Sequence, residues 1–244
     1  MNYVISDIHG NYEKYKAMLE RIAFSDEDTL YVLGDVIDRG SGGIKILQDM
    51  MLRHNVIPIL GNHEYMAAKV LPWLMTEITM ESVDSIDEDT MRGLTEWMNV
   101  GGTVTISEFS KLGKDEQQDI YDYLSEFEAY GEVEAGGRKY VLVHAGLMNF
   151  TKERPLWDYH VAELIFKLCN TNREYYDDKY VVFGHLPTKV LHAGESGMLV
   201  SELPYDKRCN EVFFKNKFIG IDCGCGYGGN LGCVCLETLK CFYV

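Results

Sequence analysis

Six short apolar runs, each followed at once by a polar cluster, constrain the fold of this chain more than any other feature. The runs are residues 3–5, 30–33, 56–60, 140–143, 180–183 and 218–221. Nearly continuous apolar runs are typical of strands covered on both faces, and such sheets bind ligands beyond the carboxyl ends of their strands. The sequence therefore predicts an α/β fold in which six polar clusters can meet at one rim.

Helical periodicity separates the first three runs. Apolar residues recur at intervals of three and four over 12–22, behind Asn11, and over 44–51, behind Ser41. Either polar residue is a candidate helix cap. These patterns predict a βαβαβ opening.

The rest of the chain predicts one insertion and three hairpins. Residues 65–128 lack the strand pattern and predict a helical insertion, with an acidic loop around residues 81–89. Paired strands are expected over 130–143, over 211–221 and over 231–244. Without an internal repeat, this order favours a single domain over 1–244 that carries the insertion at about 65–128.

The charge of the chain excludes several classes of partner. Its 23 Lys and Arg residues against 38 Asp and Glu residues give a net charge of −15. Such an excess repels polyanions, so we expect no binding to duplex nucleic acid. No apolar run approaches the roughly 20 residues of a membrane span, and the first residues lack the pattern of a secretory signal. We expect a cytoplasmic protein without a membrane partner, and the sequence leaves its oligomeric state open.

The C-terminal part is rich in cysteine. Five of the seven cysteines fall within residues 209–235, namely Cys209, Cys223, Cys225, Cys233 and Cys235. Disulfides are rare in cytosolic chains, so these residues are free thiols or metal ligands. Paired C-x-C segments could gather four sulfurs around zinc, but the usual spacing is C-x2-C, and packing of small thiols in a sheet is the favoured interpretation.

Metal-binding side chains follow five of the predicted strands. They are Asp7, His9, Asp35, Asn62, His144 and His185. One Asp-x-His pair would be weak evidence, but six such donors at strand ends suit Mn, Fe or Zn. Two ions held roughly 3.5–4 Å apart assist displacement at phosphorus, and one carboxylate must bridge them. The sequence therefore predicts a site for two metal ions and phosphoryl chemistry.

These clusters form an ordered set of motifs. They read DIHG at 7–10, GDVIDRG at 34–40, GNHE at 61–64, HAG at 144–146 and GH at 184–185. The set resembles the signature of the calcineurin-like metallophosphoesterases. More narrowly, it is similar to the phosphoprotein phosphatase branch, which includes bacterial and phage serine/threonine phosphatases and symmetrical dinucleoside tetraphosphatases. The resemblance implies a four-layer αββα sandwich, classed as α/β or by some schemes α+β.

The resemblance also implies how the metal ligands divide. One metal would be held by Asp7 and His9, the other by Asn62, His144 and His185. Asp35 would bridge the two ions. The nucleophile implied is metal-bound water.

Three further residues take roles from the same resemblance. His63 resembles the general acid that protonates the leaving alkoxide, and Asp38 would accept its other ring proton. Arg39 offers a planar fork that suits two phosphoryl oxygens. Together with Asn62, Arg39 is assigned to substrate binding.

The favoured activity is hydrolysis of phosphomonoesters, with phosphoserine or phosphothreonine in proteins as substrate. A symmetrical dinucleoside polyphosphate hydrolase is the alternative, and a binding or regulatory module with weak turnover is the alternative from another class. No cysteine is followed six positions later by arginine, and no phosphate-binding P-loop or G-x-S-x-G elbow is present. The chain therefore lacks the residues that other common phosphatase mechanisms require.

One departure from the family pattern concerns phosphate binding. The resemblance places a second arginine two residues after a tryptophan, but Trp157 is followed by Asp158 and Tyr159. Arg154 or Arg173 would have to take its place, or phosphate is held less tightly.

Four titratable residues are left without a site role. Glu64 is interpreted equally well as an exposed carboxylate at a helix start, where it favours the helix dipole. His54, His160 and His192 match no motif and are assigned to surface or packing roles.

Overall fold

The computed structural model describes residues 1–76, 79, 86–196 and 210–244, and within these it has the predicted α/β architecture. Ten strands form two five-stranded sheets in the described part of the chain. The strands are β1 (Asn2–Ile5), β2 (Thr29–Val32), β3 (Val56–Pro58), β4 (Tyr130–Ala135), β5 (Arg138–Val143), β6 (Lys179–Phe183), β7 (Phe213–Lys215), β8 (Phe218–Gly220), β9 (Gly232–Cys235) and β10 (Cys241–Tyr243). Each of the six predicted runs contains a strand, although the runs 30–33, 56–60 and 218–221 continue past the last residue of theirs.

Helices connect and cover the strands. They are α1 (Tyr12–Arg21), α2 (Gly43–Met51), α3 (Asn62–Leu74), α4 (Glu88–Trp97), α5 (Thr103–Phe109), α6 (Lys114–Ser125), α7 (Val161–Ile165) and α8 (Thr188–Ser196). A π-helical turn, Met98–Gly102, joins α4 to α5. None of the helices in the described part of the chain is both long and apolar enough to cross a bilayer.

Each sheet combines three parallel strands with antiparallel pairing, at one edge of the first sheet and at both edges of the second. The first has the order β10-β9-β1-β2-β3, with β1, β2 and β3 parallel. The second has the order β4-β5-β6-β8-β7, with β5, β6 and β8 parallel. All three predicted hairpins are present as β4-β5, β7-β8 and β9-β10. Since β1, β2, β3, β5, β6 and β8 each precede a polar cluster, the topology brings their carboxyl ends together.

Three apolar clusters separate four layers. Between the sheets, residues such as Val4, Leu142 and Val234 form a core from both sheets. The outer face of the first sheet packs on α1, α2, α3 and the helices after it. The outer face of the second sheet packs on the segment around α7. This is the αββα sandwich that the resemblance implied.

Within the described residues, the segment between β3 and β4 carries α3, α4, α5, α6 and the π-helical turn. Residues 81–85 of the predicted acidic loop lie outside the described residues, but Asp87 accepts a hydrogen bond from the Thr90 backbone and caps α4.

One of the two proposed helix caps is in position. Asn11 is the N-cap residue of α1, but its side chain donates to the carbonyls of Ile8 and His9 and makes no capping hydrogen bond. The proposed cap at Ser41 was wrong, because helix α2 begins at Gly43 behind Gly42, two residues after Ser41.

The described cysteines pack as small apolar groups. Cys223, Cys225, Cys233 and Cys235 are buried, and burial raises the pKa of the Cys225 thiol to about 12. Cys209 lies outside the described residues. Among the described residues, the side-chain groups close enough to hold a metal contain no cysteine.

Candidate metal centre

Sharp turns at the strand ends deliver the candidate ligands. Asp7, His9, Asp35 and His185 have positive φ angles of 54°, 48°, 53° and 64°. This conformation is costly for residues with a side chain and clusters at functional sites. The chain therefore accepts backbone strain at the predicted positions.

Two groups of potential ligand atoms meet at Asp35. Those of His9, Asp35 and His63 lie within 4.8 Å of one another, and so do those of Asp35, His144 and His185. Asp35 Oδ2 is 3.7 Å from His9 Nε2, whereas Asp35 Oδ1 is 3.4 Å from His144 Nε2. The two oxygens of one carboxylate thus face two separate groups, as a bridging ligand requires.

The second group is completed by Asn62 at the start of α3. Its Oδ1 lies 2.9 Å from His144 Nε2 and 2.9 Å from His185 Nδ1. His144 Nδ1 lies 2.6 Å from the Leu33 carbonyl and must donate there, so a neutral ring leaves Nε2 with a lone pair. Asn62 Oδ1 and His144 Nε2 are therefore both acceptors, and they cannot hydrogen-bond to each other. A cation would satisfy both, which shows that this donor set fits a metal ion.

Asp7 belongs to neither group, although it is almost fully buried nearby. Its carboxylate accepts hydrogen bonds from Ser6 Oγ at 2.5 Å and from the His185 backbone at 2.9 Å. Burial, followed by repulsion from Asp222 and Asp35, raises its pKa well above the ordinary value. Crowded buried carboxylates are unfavourable unless a cation compensates them. A nearby metal ion would compensate the charge of Asp7, so Asp7 fits the predicted role of a metal ligand.

His63 lies beside the ligands but is held differently. Its Nδ1 is 2.5 Å from Asp38 Oδ2, and its Nε2 is 3.4 Å from Arg39 Nη2. Burial would lower the pKa of His63, but Asp35 and Asp38 raise it above the ordinary value. With Nδ1 donating to Asp38, a protonated ring presents its second proton at Nε2. In its protonated form, His63 would therefore be able to donate a proton from Nε2.

Comparison with known proteins agrees with this arrangement. The family described as "Calcineurin-like phosphoesterase" matches residues 3–206. The chain belongs to the calcineurin-like phosphoesterase family. It is therefore a metallophosphoesterase of a hydrolase family that uses divalent metals.

Curated relatives of this phosphoesterase are matched over part of their length. A symmetrical bis(5'-nucleosyl)-tetraphosphatase from Wigglesworthia glossinidia brevipalpis is 42% identical over 65 residues, which cover 26% of this chain and 24% of the relative. One from Erwinia tasmaniensis is 27% identical over 113 residues, covering 45% and 41%. The chain thus spans between a quarter and two fifths of these relatives.

Solved structures share the fold of this phosphoesterase over most of the chain. A putative diadenosine tetraphosphatase has a TM-score of 0.62 at 18% identity, covering 100% of this chain and 92% of that one. A serine/threonine phosphatase from Saccharomyces cerevisiae has a TM-score of 0.54 at 14% identity, covering 95% and 71%. At these identities the likeness concerns the fold.

The interpretation of Glu64 as an exposed helix-start carboxylate was wrong. Glu64 is fully buried, and its carboxylate accepts the backbone N–H groups of Asp35, Val36 and Ile37 at 2.8, 2.8 and 3.2 Å. The β2-α2 turn points these donors at the first turn of α3. Glu64 therefore supports the turn of this phosphoesterase that presents Asp35 and Asp38.

Neither arginine suggested as a replacement for the second phosphate-binding arginine is free to act as one here. Arg154 pairs with Glu163 at 2.6 Å and lies 3.8 Å from the centroid of the Tyr159 ring. Arg173 lies over Tyr175 and donates to the Phe150 carbonyl. Tyr159 itself packs in the outer core of the second sheet. Among the described residues, Arg39 therefore remains the candidate arginine for binding phosphate.

The helical segment after α3 supplies contacts that the motifs did not reveal. Trp97 Nε1 donates to Asp38 Oδ2 at 2.7 Å, and Thr105 Oγ1 donates to Asp38 Oδ1 at 2.6 Å. With His63, these donors satisfy a carboxylate that is fully buried. Trp97 and Thr105 carry no sequence signal for this role because they lie far from Asp38 along the chain.

His54, His160 and His192 fit their assignment outside the site. His54 is exposed, His160 precedes α7, and the ring of His192 packs 5.3 Å from that of Phe213.

We expect replacement of Glu64 by alanine to lower the free energy of unfolding by about 3 kcal/mol, because three buried N–H groups lose their acceptor. Urea denaturation measures this loss. Glu13→Ala is the matched control, since Glu13 also lies in the first turn of a helix but is exposed. Equal losses for the two variants would contradict the supporting role of Glu64.

We also expect bound metal to be retained below the ordinary histidine pKa. Burial lowers the pKa of His9 to about 3 and that of His185 to about 4, and lowers that of His144. Since these folded-state values lie below the unfolded value of about 6.5, the unfolded chain binds more protons and stability falls as the pH drops below it. Metal content should stay constant near pH 6 and decline toward pH 4 in titration by equilibrium dialysis. Complete release at about pH 6.5 would contradict the assignment.

Proposed function

We propose that this phosphoesterase hydrolyses phosphoesters at a site for two divalent metal ions, with Asp7, His9, Asp35, Asn62, His144 and His185 as ligands. The observation that carries the proposal is the position of Asp35, whose two carboxylate oxygens face two groups of donors. When bound, such ions polarise phosphoryl oxygens and lower the pKa of water. The donors of imidazole, amide and carboxylate type suit Mn, Fe or Zn.

The residues beside the metal site take two roles, substrate binding and proton transfer. Arg39 Nη2 and His63 Nε2 are 3.4 Å apart, so both reach the same space. There Arg39 would bind phosphoryl oxygens through its planar fork, and Asn62 would contribute to substrate binding. His63 would donate its Nε2 proton to the leaving alkoxide while Asp38 stabilises the imidazolium through Nδ1.

Two substrate classes remain for this site. The resemblance favoured phosphoserine or phosphothreonine in proteins. The names of the matched relatives favour dinucleoside tetraphosphates, although those relatives are matched over short segments. A binding or regulatory module is disfavoured because the acid and the potential ligands are all present.

An assay of metal-loaded protein separates the two substrate classes. A phosphothreonine peptide and diadenosine tetraphosphate are supplied in parallel, with release of orthophosphate and of nucleoside diphosphate as the readouts. Turnover of either supports hydrolysis at phosphorus by this site, and the preferred substrate decides the class. No hydrolysis of either substrate, or of an aryl phosphate, would contradict the proposed function.

Replacement of Arg39 by lysine should lower kcat/KM by about tenfold or more, because a lysine keeps the charge but loses the fork that matches two phosphoryl oxygens. Steady-state kinetics on an aryl phosphate measures the loss. Arg53→Lys is the control, since Arg53 pairs with Asp49 on α2. If Arg39→Lys had the kinetics of the control, Arg39 would not be the phosphate ligand.

A further inference from the structure

An exposed tyrosine lies against the guanidinium of Arg39. The guanidinium carbon is 4.5 Å from the centroid of the Tyr227 ring, and Tyr227 is 70% exposed. Stacking of a cation on an aromatic face is attractive at this distance. We propose that Tyr227 is a positioning residue that holds the Arg39 side chain in place for phosphate. This inference rests on the proposed function, since it assumes that Arg39 binds phosphate.

The glycine-rich loop before β9 is shaped to make this contact. A Cβ on Gly226 would lie 2.4 Å from His9 Cδ2 and 3.0 Å from Arg39 Nη1, so no side chain fits there. Gly224 and Gly228, which flank the short turn Cys225–Tyr227, have positive φ angles of 80° and 82°. The three glycines therefore let the loop approach the metal site and carry Tyr227 over Arg39.

Several hydrogen bonds fix this loop to the body of the protein. Lys14 Nζ donates to the Gly229 carbonyl, and the Gly224 N–H donates to Asp222 Oδ1 at 2.9 Å. Cys225 Sγ lies 3.4 Å from the Ile8 carbonyl. Because α1, the β1 turn and the loop's own first residues hold it, the Tyr227 ring is in position before any substrate arrives.

The backbone of Arg39 is held from the opposite side. Its N–H donates to the Gly101 carbonyl at 3.1 Å, and a Cβ on Gly101 would lie 2.9 Å from Arg39 Cγ. The helical segment after α3 thus fixes the backbone and the start of the side chain. Tyr227 acts further out, at the guanidinium, where rotamer freedom would otherwise be greatest.

Tyr227 is a neutral partner for Arg39, which matters because Arg39 is proposed to bind an anion. Within the residues that the structure describes, no carboxylate forms an ion pair with Arg39. A carboxylate would hold the guanidinium but compete with phosphate for its charge and its donors. A neutral ring leaves the N–H donors at the guanidinium edge available. Tyr227 therefore orders Arg39 without neutralising it.

The test compares Tyr227→Leu with Tyr227→Phe. Loss of the ring should raise KM for an aryl phosphate and the inhibition constant for inorganic phosphate about threefold, with kcat changed little, whereas Tyr227→Phe should keep wild-type values. Calorimetric titration of metal-loaded protein with inorganic phosphate gives the same comparison without turnover. The exposed position of Tyr227 leaves folding intact, which thermal unfolding checks.

Combination with Arg39→Ala shows whether Tyr227 acts through Arg39. We expect Tyr227→Leu to have no further effect in the Arg39→Ala background. The proposal is overturned if Tyr227→Leu matches wild type, if Tyr227→Phe is as impaired as the leucine variant, or if the leucine effect persists without Arg39. Failure of the proposed function has a different signature, since then Arg39→Ala itself would leave phosphate binding unchanged.

Discussion

Replacement of Asp35 by asparagine should lower kcat/KM by about a thousandfold, equivalent to about 4 kcal/mol of transition-state stabilisation. An asparagine has nearly the same shape but no charge, and one of its two terminal atoms is an N–H₂ group that cannot bind a cation. Because Asp35 Oδ1 and Oδ2 face different donor groups, the variant loses the shared ligand of both metals. Steady-state kinetics with excess Mn²⁺ measures the loss.

A second aspartate serves as the control for this variant. Asp49 is partly buried and contacts Tyr15, Lys16 and Arg53, none of them a candidate ligand. Asp49→Asn should retain wild-type kcat/KM even if its stability falls. Comparable activity in the Asp35 and Asp49 variants would show that no bridging carboxylate is needed.

Replacement of His63 by asparagine should lower kcat by about a hundredfold to ten-thousandfold for a phosphothreonine peptide or another substrate with a poor leaving group. His63 is bonded to Asp38 through Nδ1, and Asp35 and Asp38 raise its pKa, so the wild-type ring can supply a proton at Nε2. An aryl phosphate, whose leaving group needs less protonation, should lose much less. The ratio of the two losses is the measurement.

Metal content distinguishes the roles open to His63. Its Nε2 lies 3.7 Å from Asp35 Oδ2, close enough to join the group of His9 and Asp35. A general acid can be removed without loss of metal, whereas a ligand cannot. Wild-type metal content in His63→Asn, with His160→Asn as control, supports the acid. Release of one metal equivalent would make His63 a ligand.

The strand ends were predictable from the sequence because their chemistry is local. Each apolar run predicted a strand, and parallel strands with buried faces bring their carboxyl ends to one rim. That argument alone predicts that Asp35, His144 and His185 lie together. The order of the motifs then supplied the division of roles that the pattern alone left open.

Contacts between distant segments could not be predicted in this way. Glu64 follows a motif on a helix start, so its sequence context fitted an exposed carboxylate equally well. Its burial depends on the β2-α2 turn directing three N–H groups at it. Likewise, Trp97 contacts Asp38 and Tyr227 contacts Arg39, although the partners are far apart along the chain. Hydrophobic periodicity does not predict such contacts.

The sequence also could not show whether Arg154 replaces the missing second phosphate-binding arginine. Arg154 is near Tyr159 in sequence and in space, which made it a reasonable replacement. In the fold, it pairs with Glu163 and stacks on Tyr159. The ion pair with Glu163 neutralises the charge of Arg154. The sequence shows that Arg154 is near Tyr159, but it does not show this ion pair.

Element-resolved metal analysis tests the central claim most directly. Protein purified without chelators and saturated with Mn²⁺ should hold two equivalents per chain, and Asp35→Asn should hold fewer at the same free metal concentration. One equivalent or none in the wild-type chain at saturation, or two retained by Asp35→Asn, would contradict a pair of metals shared by Asp35.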